Sequence, residues 1–162
     1  MICTAIRTVR PRLWRGTLLL IAVAAFADDS PERLRARIAT EGDLVHKAKL
    51  EMKLADLVLE QTRKLYGAGN FDKAEDSLKE MMTLCEGAFE HLFATHRDPR
   101  KRPGGFKETE IRMREFVRRL EDVKPTLPLD DRPPVEKAVT RLRDMHEDLL
   151  LGIMRVKKKE GQ

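Results

Sequence analysis

The sequence predicts an all-α protein: an antiparallel helical bundle or two stacked helical hairpins, about four helices in all, following an N-terminal signal peptide. Three observations lead there. Apolar residues recur at alternating spacings of three and four along most of the chain, which is the helical period and not the strand period. Glycine and proline fall between these seams and seldom within them. The first 27 residues have a composition unlike the rest.

That leader carries Arg7, Arg10, Arg12 and Arg15 without an acid, then an apolar run from Thr17 to Ala27 that ends in Ala25-Phe26-Ala27 before Asp28-Asp29. A basic start, an apolar centre and an Ala-x-Ala close form the pattern of a cleaved secretory leader. The apolar run is far shorter than the ~20 residues a bilayer span needs. Export to a periplasmic or extracellular location, with no transmembrane span in the mature chain, is the expectation. The full chain has 32 basic and 27 acidic residues; without the four leader arginines the balance is 28 to 27, net +1. Steering toward nucleic acid by overall charge therefore loses its basis, and no specific nucleic-acid partner is expected. Cys3 leaves with the leader, so Cys85 has no partner for a disulfide within the mature chain. Residues 28–162 are long enough for one domain with its own core.

The first mature helix is expected over about 31–66. Ser30 suits the N-cap, Pro31 the first helical position and Glu32 the positive end of the helix dipole. Leu34, Ile38, Glu41, Val45, Ala48, Met52, Ala55, Leu59, Thr62 and Tyr66 form a heptad seam with two polar members, Glu41 and Thr62. Leu50, Leu54, Leu57 and Leu65 widen the second half, which should therefore touch more than one neighbour. Gly42, between Glu41 and Asp43, is the point where the helix either continues at a cost of ~1 kcal/mol or bends.

Tyr66-Gly67-Ala68-Gly69-Asn70 is a helix stop followed by a possible cap, and Phe71 opens a second seam through Ala74, Leu78, Met81, Cys85, Ala88 and Leu92. Two apolar faces joined by so short a turn close antiparallel. The segment Gly69-Asn70-Phe71-Asp72-Lys73-Ala74 resembles the turn between the two helices of a tetratricopeptide repeat, with a Gly, an aromatic, an acid and a small Ala at the helix crossing. Leu78 falls where that family prefers a large apolar residue. The resemblance covers one turn and implies a helical hairpin with Ala74 at the crossing. The segment from Arg97 to Met154 also resembles a block in exported bacterial helical proteins of unassigned activity.

The second helix is expected over about 70–97, since Pro99 disfavours helical geometry at Asp98. A third is expected over about 107–123, with Glu108–Arg112, Glu110–Arg114 and Glu115–Arg119 as i,i+4 ion pairs. Pro125 and Pro128 end it. Asp130 or Asp131 then caps a last helix over about 133–157, whose seam runs Val135, Ala138, Leu142, Met145, Leu149, Gly152 and Val156.

Residues with catalytic or metal-binding potential are scattered. Cys85 lies on a seam, where a thiol is core filling; a reactive thiolate wants an electropositive, partly exposed place. His46, His91, His96 and His146 form neither Glu-x-x-His nor His-x-x-x-His, and most methionines lie on or beside core seams. Glycine-rich phosphate loops and Gly-x-Ser-x-Gly elbows are absent from the sequence. No catalytic residues, no metal ligands and no cofactor are expected, and the protein is read as a non-enzyme. The loop at 97–107 is the pointed feature: Arg97, Arg100, Lys101, Arg102 and Lys107 surround Pro103-Gly104-Gly105 ahead of a helix N-terminus, a composition suited to an anionic partner. The reading is an exported helical interaction module for a protein or an anionic envelope partner. A small-molecule or metal carrier with a site inside the bundle, and a chaperone-like hairpin, are the alternatives.

Trp14 is the only tryptophan, so exported protein is expected to begin at Asp28 and to show no tryptophan fluorescence. N-terminal sequencing and intact mass check this, and a retained leader contradicts the secretory reading.

Overall fold

The apolar seams become helices whose boundaries are set by caps. The structure, a computed structural model, describes residues 30–154. The leader over 1–27 and the end of the last helix beyond Met154 lie outside the described residues.

Helix α1 spans Pro31–Thr40 and is capped by Ser30, whose Oγ accepts a hydrogen bond from the Arg33 N–H at 3.4 Å. The expectation of one helix over 31–66 is corrected here. Glu41 is extended at φ −74°, ψ 123°, and its carboxylate accepts from the Asp43 N–H at 2.9 Å. Asp43 in turn caps α2 (Leu44–Gly67) by accepting from the His46 N–H at 2.8 Å. Gly42 contributes little helix propensity, whereas an Asp N-cap is worth ~1 kcal/mol, so two capped helices replace one interrupted helix.

At the other end of α2, the Asn70 N–H reaches back to the Leu65 carbonyl at 2.9 Å and Gly69 takes the left-handed conformation at φ +73°. This is a glycine-terminated Schellman close. α3 follows at once, Phe71–Ala94. Asn70 occupies its N-cap position, but the side chain makes no cap hydrogen bond. α3 ends short of 97: Thr95 donates its hydroxyl to the Leu92 carbonyl at 2.6 Å, and His96 turns left-handed at φ +52°.

α4 spans Phe106–Val123, beginning one residue before expectation because Phe106 is itself core, 1% exposed. Two short 3₁₀ turns, Lys124–Thr126 and Leu129–Asp131, lead to α5, Arg132–Met154. The expected cap by Asp130 or Asp131 gives way to this second turn, which places both aspartates before the helix as a turn of their own.

α2 and α3 form one antiparallel hairpin, α4 and α5 a second, and the two stack with α2 beside α4 and α3 beside α5. α1 lies on α2 and is tied to α3 by Arg35 Nη2 to Glu80 Oε1 at 2.7 Å. The broad apolar face of α2 thereby meets three neighbours, burying Leu50 and Leu54, whereas Leu57 stays exposed against expectation. Leu34, Met52, Leu59, Met81, Leu92, Phe106, Phe116 and Leu142 are among the fully buried side chains, each contributing about 1.5–3 kcal/mol by transfer from water. Thr62, the polar member of the α2 seam, is 0% exposed and sits 2.9 Å from the Val58 carbonyl oxygen and 2.8 Å from Ser77 Oγ on α3. Its hydroxyl is thus satisfied inside the hairpin.

Two glycines with positive φ separate strain from crowding. A Cβ at Gly69 meets nothing within 4 Å, whereas at Gly105 (φ +90°) it falls 2.7 Å from Val45 Cγ1 and 2.9 Å from Leu92 Cδ2. Gly69→Ala is expected to cost about 1 kcal/mol from backbone strain alone. Gly105→Ala adds overpacking and is expected to cost about 2–4 kcal/mol. Urea unfolding of the two variants checks the order; equal losses contradict it.

Candidate functional site

The five bases singled out in the sequence all lie around the end of the bundle opposite the Gly69 turn, between the last turn of α3 and the first turn of α4. Their circumstances differ. Arg97 lies 3.9 Å from Asp43 Oδ2 at the start of α2. Arg100 forms a fork with Asp98, Nε to Oδ1 at 2.9 Å and Nη2 to Oδ2 at 3.0 Å, and its N–H also donates to Oδ1. These Arg100 hydrogen bonds hold the Asp98 carboxyl at about 2. Lys101 adds its charge to the field around Asp98, while Arg102 and Lys107 enter no side-chain hydrogen bond or ion pair among the described residues. All of the loop's bases are exposed.

The backbone of the loop is not an open row of donors. Gly105 is buried, and its N–H donates to Glu108 Oε2 at 2.8 Å, a capping arrangement that fills the positive end of α4 with the chain's own carboxylate. Glu108 also accepts from Lys49 Nζ at 3.0 Å. Desolvation works to raise the Glu108 pKa, but these two donors together bring it below the ordinary glutamate value. The expectation that both Gly104 and Gly105 present amides to a ligand is corrected accordingly. Gly105 is glycine because Val45 and Leu92 leave no room for a side chain. Pro99 lies close to Gly152 of α5, its Cγ 3.6 Å from where a Cβ on that glycine would stand.

Of the three expected i,i+4 pairs on α4, only Glu115–Arg119 is present among the ion pairs found, at 3.1 Å. Glu108 turns to Lys49, and Glu110 to His146 Nε2 at 2.8 Å, while Arg112 approaches Asp56 at 3.8 Å. Tertiary packing brings these partners within reach from neighbouring helices, and of the three only Glu110–His146 is largely buried. His46 pairs locally with Glu41 ahead of α2, while two histidines pair across helices: His91 Nδ1 with Glu51 at 2.9 Å, and His146 with Glu110. Glu51 and Glu110 are 6% and 7% exposed, so these imidazoles serve as partners to buried carboxylates. Sequence spacing had no means of finding them, since their members are 40 and 36 positions apart.

Cys85 is fully buried, 3.6 Å from Met81 Sδ, and burial pushes its thiol pKa up. That is the opposite of the environment a reactive thiolate needs. No group of three or more potential metal-ligating side chains comes together among the described residues, and no helix there is long and apolar enough to cross a membrane. Open depressions lie between neighbouring helices. One, between α3 and α5, has Leu78, Met82 and Ala138 along its floor and Lys79, Glu86 and Arg141 at its rim. Another, between α1, α2 and α4, is lined chiefly by bases, and a third lies between α4 and α5 beside Val117 and His146. Compared with known proteins, the chain matches no family model, no curated protein and no solved structure.

The Glu51–His91 pair yields a stability test. His91→Ala leaves the Glu51 carboxylate without its partner and is expected to cost about 1–3 kcal/mol. Pairing His91→Leu with Glu51→Met is expected to recover most of that loss, since a buried pair replaced as a unit is near neutral. Denaturant unfolding of the single and double variants checks this; a double variant as unstable as the single one contradicts it.

Proposed function

We propose that the chain is an exported, non-enzymatic helical interaction module that docks an anionic macromolecular partner through the loop of Arg97, Arg100, Lys101, Arg102 and Lys107. The observation that carries the reading is the imbalance within the loop. Asp98 is the single acid among residues 97–107, and its carboxylate is occupied by Arg100, so Lys101, Arg102 and Lys107 point their charge at solvent without an acid to neutralise it. A mature chain of net +1 makes this patch a local concentration and not a reflection of overall composition.

The supporting features are mechanical. Pro99 and Pro103 restrict the loop's backbone, so less entropy is lost when it docks. A filled core with open grooves on its surface suits an interaction module better than a carrier, which needs an enclosed chamber lined by a few polar groups. Arg100 contributes less than its neighbours because Asp98 already satisfies its fork.

Changing Arg100, Lys101 and Arg102 together to Ala is expected to abolish binding to acidic proteins immobilised as a panel. Wild-type binding is expected to fall with salt at a log–log slope of about −2 to −3. Equal and negligible binding by both proteins contradicts the reading and leaves the loop a solvated connector.

A further inference from the structure

We propose that the acidic partner of the basic loop is a second copy of this chain, which presents the turn Leu129-Asp130-Asp131 to the loop in a head-to-tail contact. The inference rests on the docking reading and names the partner.

The two connections that flank α4 have opposite charge. The loop at 97–107 carries five bases and one acid, whereas residues 125–131 carry Asp130 and Asp131 and no base. Each stays uncompensated within its own bundle. Arg102 and Lys107 enter no side-chain hydrogen bond or ion pair among the described residues, and neither does Asp130 or Asp131. Arg132, the base next to Asp131, directs its Nε to the Leu127 carbonyl at 3.0 Å. The 18 residues of α4 separate the two connections by about 27 Å. They cannot neutralise each other in one molecule, but they can between two.

An apolar contact stands beside each charge. Leu129 is 75% exposed, the most exposed of the large hydrophobic side chains among the described residues. Its turn is held firmly, because Leu127 two residues earlier is 3% exposed and Pro125 and Pro128 restrict the backbone. At the other end, Phe93 packs on Phe89 at 4.6 Å and edge-on to Phe106 at 5.9 Å, yet stays 43% exposed. Phe106 is the neighbour of Lys107, so this aromatic face adjoins the basic loop. A leucine set on Phe93, with Asp130 and Asp131 against Arg102 and Lys107, gives an apolar centre inside a charged rim. Both surfaces are ordered before they meet, which limits the entropy lost on contact.

The two surfaces differ and lie at opposite ends of the bundle, so the contact is heterologous: every copy that docks leaves one further surface of each kind free. Surfaces this small make a weak association, sensitive to salt.

The test is sedimentation velocity of the purified protein over a wide concentration series at low and high salt. Species beyond the dimer are expected to grow with concentration at low salt and to dissociate at high salt. Blocking the turn with Leu129→Ser, Asp130→Asn and Asp131→Asn, or blocking the loop with Arg102→Gln and Lys107→Gln, is expected to weaken self-association at least about tenfold, the loss of charge-assisted contacts. An equimolar mixture of the two blocked proteins retains one intact contact and is expected to form a dimer that grows no further. Should a blocked protein fail to fold, amide shifts of the wild type on dilution decide: changes at both 101–107 and 129–131 support the contact, and changes at one or neither overturn it. A wild-type protein that stays monomeric or stops at a dimer, or a mixture that forms no dimer, also overturns it. A monomer that still binds the acidic panel through Arg100, Lys101 and Arg102 overturns self-docking alone, whereas a monomer that binds nothing overturns the docking reading with it.

Discussion

The close antiparallel contact of α2 with α3 is the constraint from which the rest of the structure follows. Small residues make it possible: Ala48 and Ala55 on α2, and Ala74 and Ala88 on α3, are all 0% exposed. The helices are near enough for Ser77 Oγ to lie 3.4 Å from the Val58 carbonyl oxygen, and for a Cβ on Gly87 to stand 3.3 Å from Glu51. Gly69 closes one end. At the other, Val45 and Leu92 leave a narrow mouth into which only a glycine backbone fits, and Gly105 enters it. The start of α4 is therefore fixed by the hairpin, Phe106 is driven into the core, and α5 returns along α3. A change that widened the α2–α3 spacing would move the seat of the second hairpin as well.

This dependence also arranges the charges. Because α4 begins at the open mouth of the hairpin, its Glu108 and Arg112 face Lys49 and Lys53 of α2, while the loop that precedes it gathers Arg97 through Arg102 at the same end. Most of the exposed ion pairs around the bundle, such as Arg141–Glu86 and Lys124–Glu136, are individually worth little. Their contribution lies in pairing off charge along the sides of the bundle. What remains unbalanced is concentrated in the loop at 97–107, where Arg102 and Lys107 enter no side-chain ion pair among the described residues. Buried pairs such as Glu51–His91 play another part: they specify which helix faces meet, because a mispaired arrangement would strand a carboxylate in the core.

The helices were legible in the sequence because seams with a three-four period have few other uses, and the Gly69 turn was legible because a helix stop and a new seam stood four residues apart. The break at 41–43 was visible only as a choice. Gly42 marks the place, but whether a helix crosses it depends on Glu41 and Asp43 capping across the gap, a decision made by hydrogen bonds and not by periodicity. The i,i+4 pairing on α4 misled for the opposite reason: local spacing names the nearest partner in an isolated helix, and tertiary packing offered Glu108 and Glu110 better ones. The basic loop could be found by composition alone. The depression between α1, α2 and α4 could not, since its lining comes from three elements and shares no sequence pattern.

Native-state hydrogen exchange, followed amide by amide, tests most directly whether the α2–α3 hairpin is the frame of the molecule. The hairpin account predicts that the slowest-exchanging amides lie in α2 and α3 near Ala55, Leu59, Leu78 and Met81, opening only with global unfolding, while α4 and α5 exchange through a smaller opening that leaves the hairpin closed. Retention of protection in α4 and α5 when α2 and α3 have exchanged would contradict it.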